Sequence, residues 1–437
     1  MDTEIIVGLD IGTTKIACFI GHRAEGGKVK ILGHGKTDSV GVSRGVVVNI
    51  ELTAQSIQKA VKEAELQSGV EVGEVYVGIA GQHIKSMQNR GNIMIHRENN
   101  IITKEDLNRL IDDQHKLMLQ PGEDIIHVLP QDFFVDGDLL TTTPIGVAGN
   151  CLEGNFHIIT GHAVNIKNIH RSVKAAGYDV KGVVLEPIAS AEAVLDQRDK
   201  DAGVALVDIG GGTTDVAIFH EGIIRHTSVI PMAGNSITDD IKNGCHIVRT
   251  QAEALKVKFG SCLASANPED QIIAIPGIRN KQAKEISMKT LAGIIQARME
   301  IILEQALHEI KISGLSSKLI GGIVLTGGGS VIKHAIQLNE YITGIDSRIG
   351  TPDEHLTADS VGEELSNPMY ATGIGLVIYG IKASESLSVR KPEKENPVEE
   401  KEEDIKQERS KKAKIFGGKT DDFFNGWLKK ILNDDIS

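Results

Sequence analysis

Residues 5–15 read IIVGLDIGTTK, and residues 204–215 read VALVDIGGGTTD. In each stretch a short apolar run ends in an aspartate, Asp10 or Asp208, and a turn of glycine and threonine follows. Short apolar runs bounded by turn residues are typical of buried strands, so each stretch predicts the first strand and the tip of a β-hairpin. Because the pattern occurs twice, we expect two similar α/β halves that face each other.

The turns have the composition of an anion-binding site. Where no side chain intervenes, backbone N–H groups can approach a phosphate closely and form a concavity around it. A third turn, TGGGS at residues 326–330, follows the apolar run Leu319–Leu325, which predicts another strand. One glycine-rich turn is usually only a turn, but three of them after three strands indicate a phosphate site. No G-x-x-x-x-G-K-S/T segment is present, which excludes a P-loop protein.

The side chains of these turns suit the same chemistry. Threonine hydroxyls can add donors, and Lys15 can supply a positive charge to the outer phosphates. Asp10 and Asp208 would face anionic phosphate across a cation, and Mg²⁺ held largely through water fits because it dehydrates reluctantly. The predicted binding set is Asp10, Gly12, Thr13, Thr14, Lys15, Asp208, Gly210, Gly211, Gly212, Thr213, Thr214, Asp215, Gly327, Gly328, Gly329 and Ser330.

Composition and charge narrow the class of protein. The 437 residues are 41% hydrophobic and 24% charged, which is ordinary for a soluble globular chain. A net charge of −12 argues against a general nucleic-acid binder. The four cysteines form no C-x-x-C pair, so we expect a reducing cytoplasm. We also expect no secretory signal and no membrane-spanning helix, because no basic start or long apolar run is present.

The three turns resemble the nucleotide motifs of the actin, DnaK-type chaperone and sugar-kinase superfamily. Residues 8–15 resemble its first phosphate motif, residues 207–215 its second, and residues 325–330 its adenosine motif. The resemblance implies a two-domain actin-like ATPase fold, with duplicated ribonuclease H-like halves. It also implies that ATP and Mg²⁺ bind in the cleft between the halves and that the protein is a weak ATPase at most.

Two further segments match the superfamily residue by residue. Residues 185–191 resemble its first connecting helix, where a carboxylate of several relatives positions the attacking water, which implies a catalytic role for Glu186. An acid beside Pro187 at a helix N-terminus is also favourable for the helix dipole alone. Glu253 and Lys256 match residues that touch ribose and adenine in relatives, although an exposed i, i+3 ion pair would explain them equally well.

A long insertion narrows the resemblance to the FtsA family of bacterial division proteins. Residues 81–162 begin with GQHI, include a predicted helix at Thr103–Leu119 and return through FHIITG, as in the small insert subdomain of that family. The resemblance covers about residues 4–383. It implies self-assembly into actin-like filaments, binding of the tubulin-like protein FtsZ through the second half, and recruitment of later division proteins at the septum.

The end of the chain changes character. Residues 384–414 are rich in Glu and Lys, which predicts a disordered linker. Residues 415–437 carry an apolar stripe at helical spacing, which predicts an amphipathic membrane-binding helix. The resemblance implies that this helix lies on the cytoplasmic face of the inner membrane. Docking on the protein's own body or on a partner is the alternative, and flanking aspartates mean that apolar burial must dominate lipid binding. The stripe consists of Phe423, Phe424, Trp427, Leu428, Ile431 and Leu432.

The expected domain boundaries follow from these segments. Smaller expectations are a helix at Thr53–Ser68 with Thr53 as its N-cap and a long helix at Glu285–Ile310. The predicted domains are a first ATPase-core half at 1–83 and 163–197, an α+β insert subdomain at 84–162, and a second half at 198–383 that includes a nucleotide-capping subdomain at 231–300, followed by the linker and the C-terminal helix.

Other functions of the same superfamily remain open from the sequence. A small-molecule kinase needs a substrate hydroxyl and a positioned base, and no segment suggests sugar recognition. A chaperone would need a peptide-binding domain after the ATPase body. A PilM-like pilus-assembly protein shares the fold and a similar insert, but the predicted C-terminal anchor disfavours it.

Overall fold

The computed structural model describes residues 4–96, 99–140, 143–277, 283–362 and 364–388. The chain divides into two compact units, Met1–Ile381 and Lys382–Ser437. The second unit lies almost wholly outside the described residues, and so do most of the predicted linker and the whole C-terminal segment 415–437.

The N-terminal segment forms the first predicted hairpin. Its two strands pair antiparallel with Asp10 opposite Ala17, and the first strand runs parallel to the sixth. The first helix begins at Ile50 rather than Thr53, because the Asn49 side chain accepts from the Leu52 N–H and caps it. The elements are β1 (Ile6–Ile11), β2 (Lys15–Arg23), β3 (Val29–Asp38), β4 (Val42–Ser43), β5 (Val46–Val47), α1 (Ile50–Ser68) and β6 (Glu74–Ile79).

The insert forms a sheet of its own, with antiparallel pairing in the order β7-β10-β8-β9. Its helix is shorter than predicted and ends at Gln114. Thr103 begins it as a capping box with Asp106, whose carboxylate accepts from the Thr103 N–H at 3.0 Å. The elements are β7 (Lys85–Met94), α2 (Lys104–Gln114), β8 (Glu123–Val135), β9 (Asp138–Leu140) and β10 (Cys151–His162).

The chain then returns to the first sheet and completes it. The returning strand pairs parallel with β6, and the helix that begins at Glu186 starts where this strand ends. The elements are α3 (Ala163–Ala175), β11 (Asp179–Leu185), α4 (Glu186–Val194) and α5 (Gln197–Ala202). The first sheet therefore has the order β11-β6-β1-β2-β3.

The second half contains the second predicted hairpin and a sheet of its own. Its longest helix begins at Met288 rather than Glu285, because Lys284–Ser287 is a strand and the Ser287 hydroxyl caps the helix. The elements are β12 (Val204–Ile209), β13 (Thr214–His220), β14 (Ile223–Ile230), α6 (Gly234–Cys245), α7 (Arg249–Phe259), β15 (Ile272–Ile275), β16 (Lys284–Ser287), α8 (Met288–Ile312), β17 (Ile323–Thr326), α9 (Ala335–Thr343), β18 (Ser347–Ile349) and α10 (Ala371–Ser388).

The two large sheets have the same plan. The second has the order β14-β13-β12-β17-β18. In each sheet the hairpin and the strand after it are antiparallel, and two parallel strands extend the sheet from the first hairpin strand. This repetition agrees with the duplication that the two DIG stretches predict. Buried aliphatic side chains, such as Leu9 and Ile57 in the first half and Val207 and Met299 in the second, form the cores.

Two predicted boundaries are wrong. The strand before the third glycine-rich turn covers only Ile323–Thr326, because Gly322 turns the chain with a φ of 69° and Leu319 precedes that turn. The last helix continues to Ser388, so the first residues of the predicted linker are helical. Within the described ranges, no helix is both long and apolar enough to span a bilayer.

Candidate functional site

The first hairpin tip places a lysine against an aspartate. The Lys15 ammonium lies 2.6 Å from a carboxylate oxygen of Asp10, and Asp10 is 4% exposed. Burial alone would lower the pKa of Lys15, but the charges of Asp10, Asp208 and Glu186 outweigh it and raise this pKa above its usual value. Lys15 is therefore a cation held in place by the carboxylates around it.

The second hairpin places Asp208 among buried hydroxyl donors. Ser190 donates to an Asp208 carboxylate oxygen at 2.6 Å, and Thr372 lies 3.4 Å from the same oxygen. Burial raises the pKa of Asp208, the hydrogen bond from Ser190 partly offsets this, and the charge of Asp10 raises it again. These effects require Asp10, Lys15 and Asp208 to lie close together. Both predicted hairpins therefore contribute to one site.

Two more carboxyl groups, those of Glu186 and Asp215, lie near Asp10 and Asp208. We call these four carboxyl groups the acidic floor. Glu186 begins α4 and covers Gly78, where an added Cβ would lie 3.0 Å from the Glu186 Cγ. Burial, and then the charges of Asp10 and Asp215, raise the pKa of Glu186 well above its usual range. Burial and the charge of Asp208 do the same to the pKa of Asp215. The Glu186 side chain therefore points at the shared acidic site.

One carboxylate oxygen of Asp215 is buried without a hydrogen-bond partner in the described part of the chain. The other oxygen accepts from the Thr213 hydroxyl at 3.2 Å. A buried acceptor without a donor is costly, and native structures usually supply a partner, an ion or a water. The unpaired oxygen indicates that a donor or cation belongs at this site.

The two hairpin tips meet directly. A Cβ on Gly211 would lie 2.8 Å from the Thr14 hydroxyl, and a Cβ on Gly212 would lie 2.9 Å from the Thr13 Cβ. Such separations are below ordinary van der Waals contact. Glycine is therefore required at both positions by the approach of the opposite half.

The backbone of both tips is arranged to bind an anion. The carbonyl groups of Gly210 and Gly211 accept from the first N–H groups of α6, those of Gly234 and Asn235, at 3.1 and 2.8 Å. Within the described residues, no acceptor pairs with the N–H groups of residues 12–14 or 211–213. Two sets of unpaired donors therefore lie on the two tips that touch, as a bound phosphate chain would need.

The third turn packs beneath the second hairpin. The Gly329 N–H donates to the Ile209 carbonyl at 2.7 Å, and a Cβ on Gly327 would lie 2.7 Å from that oxygen. Gly327 has a φ of 80°, which only glycine adopts readily. Gly328 faces Met369, whose Cβ would be 3.7 Å from a Cβ on Gly328. Most N–H groups of this turn donate to carbonyl groups of the protein, whereas those of the two hairpin tips do not.

Two predicted hydroxyl donors are engaged elsewhere. The Thr214 hydroxyl donates to the Met232 carbonyl at 2.8 Å, and the Ser330 hydroxyl donates to the Gly327 carbonyl at 2.8 Å. Thr214 lies inside the sheet, opposite Ile209, so its side chain faces the core rather than the tip. Both hydroxyl protons are therefore engaged within the protein, and the predicted binding roles of Thr214 and Ser330 stay predictions.

Glu253 and Lys256 form a pair that is more than an exposed surface contact. The Lys256 ammonium is 2.8 Å from the Glu253 carboxylate and also donates to the Gly234 carbonyl at 3.0 Å and the Thr238 hydroxyl at 2.9 Å. The Lys256 side chain is only 11% exposed. The pair fastens α7 to the first turn of α6, the same turn that supports Gly210 and Gly211.

Sequence reasoning missed the residues that hold Asp208. Ser190 lies four residues after Glu186 on the same helix, so the helical period could have indicated that it faces the same site. Thr372 comes from a distant part of the chain and carries no local signal. Its position follows only from the packing of α10.

The site fits a hydrated magnesium ion rather than one held by a cage of protein ligands. In the described ranges, no three His, Cys, Asp or Glu side chains are grouped as direct metal ligands. Three buried carboxyl groups, those of Asp10, Asp208 and Asp215, and the half-buried Glu186 nevertheless share the site with the charge of Lys15, and one Asp215 oxygen is unpaired. A cation that keeps several waters and bridges to phosphate oxygens suits such a site.

The sequence has clear relatives. The family profile described as "Cell division protein FtsA" matches residues 205–375, and the one described as "SHS2 domain inserted in FTSA" matches residues 81–160. The cell division protein FtsA of Pseudomonas aeruginosa is 36% identical over 387 residues, which cover 88% of this chain and 92% of that protein. The predicted insert subdomain is thereby confirmed.

Solved structures share the fold at low sequence identity. The PilM–PilN type IV pilus biogenesis complex aligns with a TM-score of 0.63 at 14% identity, covering 86% of this chain and 98% of the other. MreB 5 of Spiroplasma citri bound to AMPPNP aligns with a TM-score of 0.55 at 15% identity, covering 89% and 99%. These likenesses concern the fold alone, which is that of the actin-like ATPases. By its sequence, its insert and its duplicated core, this chain belongs to the FtsA family of actin-like cell division proteins.

Proposed function

We propose that the chain binds ATP with Mg²⁺ between its two hairpin tips. The observation that carries the proposal is the meeting of two sets of unpaired N–H groups, at residues 12–14 and 211–213, on hairpins that also carry the buried carboxyl groups of Asp10, Asp208 and Asp215. Unpaired donors favour the phosphates, and the carboxyl groups favour the cation. That MreB 5 of the same fold is bound to AMPPNP supports this choice of ligand.

Each part of the site has a role in this proposal. The tip N–H groups and Lys15 bind the phosphate chain, and Asp10 and Asp208 orient the waters of the metal. Mg²⁺, when bound, neutralises phosphate charge. Glu253 and Lys256 line the nucleoside side, together with the turn at residues 327–329, and Ser190 fixes the Asp208 carboxylate.

Glu186 is the residue we propose to orient the attacking water and accept its proton. Burial, and then the charges of Asp10 and Asp215, raise its pKa well above the usual range, which favours the protonated form of the carboxyl group. A protonated carboxyl cannot accept a proton. The protein is accordingly proposed to be a weak ATPase whose turnover serves as a timer.

Nucleotide binding would act as a conformational switch. The two tips belong to different halves and already touch through Gly211, Gly212, Thr13 and Thr14. A phosphate chain bound at both tips would contact both halves, and hinge closure around a ligand is a common way to couple binding to assembly. We propose that the ATP-bound form assembles into filaments with other copies of the chain.

We further propose that these filaments anchor FtsZ to the cytoplasmic face of the inner membrane at the septum and recruit later division proteins. Family membership supports the division role, and the apolar stripe Phe423–Leu432 supports membrane contact through residues 415–437. Coarsely, residues 231–300 of the second half are the proposed FtsZ-binding region. A single short helix binds lipid weakly, so avidity from assembly would matter.

Liposome co-sedimentation with ATP tests the membrane role. The full chain is compared with a chain truncated after Ser410 and with full-length Trp427→Glu, at equal concentrations. We expect the full chain to pellet with vesicles and both variants to remain in solution. ATP binding by all three proteins shows that the folded body is intact. Equal pelleting of all three, or of none, would reject the anchor.

A further inference from the structure

The short hairpin of β4 and β5 places an arginine at the meeting point of the two tips. Val42 pairs with Val47 and Ser43 with Val46, so Arg44 and Gly45 form a two-residue turn. Their φ angles are 47° and 74°, both left-handed. Such a turn favours Asn or Gly, and arginine is an unfavourable choice for its first position.

Contacts on three sides fix the position of this turn. The Gly45 N–H donates to the Thr13 hydroxyl at 2.9 Å, and a Cβ on Gly45 would lie 3.0 Å from the Gly81 N. A Cβ on Gly212 would lie 2.9 Å from the Arg44 Cα. Arg44 is therefore held against the first tip and the second tip at once.

The charge of Arg44 is not used by the protein. Its side chain is exposed, and it makes no ion pair or hydrogen bond within the described residues. Lys15, the other cation at the tips, is already paired with Asp10 at 2.6 Å. A guanidinium has the planar donor geometry that grips a terminal phosphate in a bidentate manner.

The position of Arg44 along the second tip indicates which phosphate it would meet. The turn at residues 327–329 packs on Ile209, at the start of the tip, whereas Arg44 packs on Gly212, toward its end. A phosphate chain that begins near the former turn would therefore end near Arg44.

We propose that Arg44 binds the terminal phosphate of the nucleotide and makes the site prefer the triphosphate to the diphosphate. This inference rests on the proposed binding of ATP between the tips. The left-handed backbone would then be tolerated because it holds Arg44 beside Gly212, where the proposed phosphate chain ends.

Equilibrium binding of ATP and ADP, each with Mg²⁺, tests the proposal on the full chain. Arg44→Asn removes the charge and suits the left-handed turn, so the hairpin should persist. Arg44→Lys keeps a charge without the planar fork, and Arg90→Gln, on the insert strand β7, is the control. We expect Arg44→Asn to weaken ATP binding about tenfold, as for one lost charge-assisted contact, and to change ADP binding less than twofold.

The outcomes separate the two proposals. Wild type that binds neither nucleotide overturns the proposed function itself. Wild type that binds ATP, with Arg44→Asn binding it equally well, overturns the inference alone. An equal loss of ATP and ADP binding also overturns it, because the turn would then act on the tip as a whole. Arg44→Lys should fall between wild type and Arg44→Asn.

Discussion

Thr13 and Gly212 approach each other so closely that the second half has no room for a side chain at this point. A Cβ on Gly212 would lie 2.9 Å from the Thr13 Cβ and would overlap the Thr13 hydroxyl. The backbone of Gly212 is not left-handed, so the requirement for glycine is steric rather than conformational. Gly212, like Gly211 beside it, therefore allows the close approach of the two halves.

Gly212→Ala should force the two tips apart. We expect ATP affinity to fall at least about tenfold, because the donors of the two halves no longer converge, with little change in the unfolding temperature. Gly73→Ala is the matched control, since a Cβ there meets nothing within 4 Å. Calorimetric titration measures both variants. Unchanged affinity in Gly212→Ala would show that the tips do not need to touch.

The stability of the nucleotide-free protein should depend on the protonation of its acidic floor. The pKa values of Glu186, Asp208 and Asp215 are all raised in the folded state. Their stabilisation is complete below the unfolded carboxyl pKa of about 4 and is lost as pH rises through the folded values. Stability should therefore fall as pH rises above that range.

Urea unfolding at several pH values measures how the free energy of unfolding depends on pH. The difference in this dependence between wild type and a variant gives the contribution of one carboxyl group. Asp215→Asn should flatten the dependence by up to about 1.4 kcal/mol per pH unit, the value of one proton. Asp138→Asn, an exposed acid on β9, should leave the slope unchanged. Parallel slopes for wild type and Asp215→Asn would mean that this carboxyl group ionises normally.

The hydroxyl of Ser190 should tune the affinity for magnesium. Ser190→Ala removes the 2.6 Å donor to Asp208 without changing the shape of α4, so the pKa of Asp208 should rise further. We expect the Mg²⁺ concentration that half-saturates ATP binding to increase several-fold. Ser172→Ala, which removes a buried hydroxyl bond to the Asn168 carbonyl, is the control. Equal Mg²⁺ requirements in both variants would contradict the role.

The insert is fastened to the second half by a partly buried ion pair. Arg225 lies 2.9 Å from both carboxylate oxygens of Asp132, and Gln131 donates to the Ile224 carbonyl at 3.0 Å. The Arg225 side chain is 16% exposed. A double-mutant cycle of Asp132→Ala and Arg225→Ala should give a coupling of about 1–2 kcal/mol in unfolding experiments. The exposed pair of Lys174 and Asp179 should give much less, and equal couplings would rule out a fastening role.

The hairpins and glycine turns could be predicted from sequence because each depends on local chemistry. An apolar run that ends in DIG fixes both the strand and its turn, and the duplication follows from the repeat. Which side chain caps the start of a helix is harder to predict from the sequence. Asn49 outcompetes Thr53 as a cap, and Thr53 instead donates within the helix to the Asn49 carbonyl at 2.8 Å.

The details of the site depend on packing that no local pattern reveals. The Thr214 hydroxyl faces the Met232 carbonyl because strand alternation points it inward, although its neighbour Thr213 reaches Asp215. Thr372 approaches Asp208 across 164 residues of chain. Apart from the start of the linker, the domain boundaries stay predictions, and so do the roles of the individual site residues.

The nucleotide site is tested by measuring ATP binding to the full chain, with and without Mg²⁺, for wild type and Asp10→Asn. Asp10 pairs with Lys15 and is also proposed to hold the waters of the metal, so its charge should be needed for both. We predict saturable ATP binding by wild type that disappears with a chelator and falls at least about tenfold in Asp10→Asn. Wild type without affinity for ATP, or Asp10→Asn with wild-type affinity, would contradict the nucleotide site.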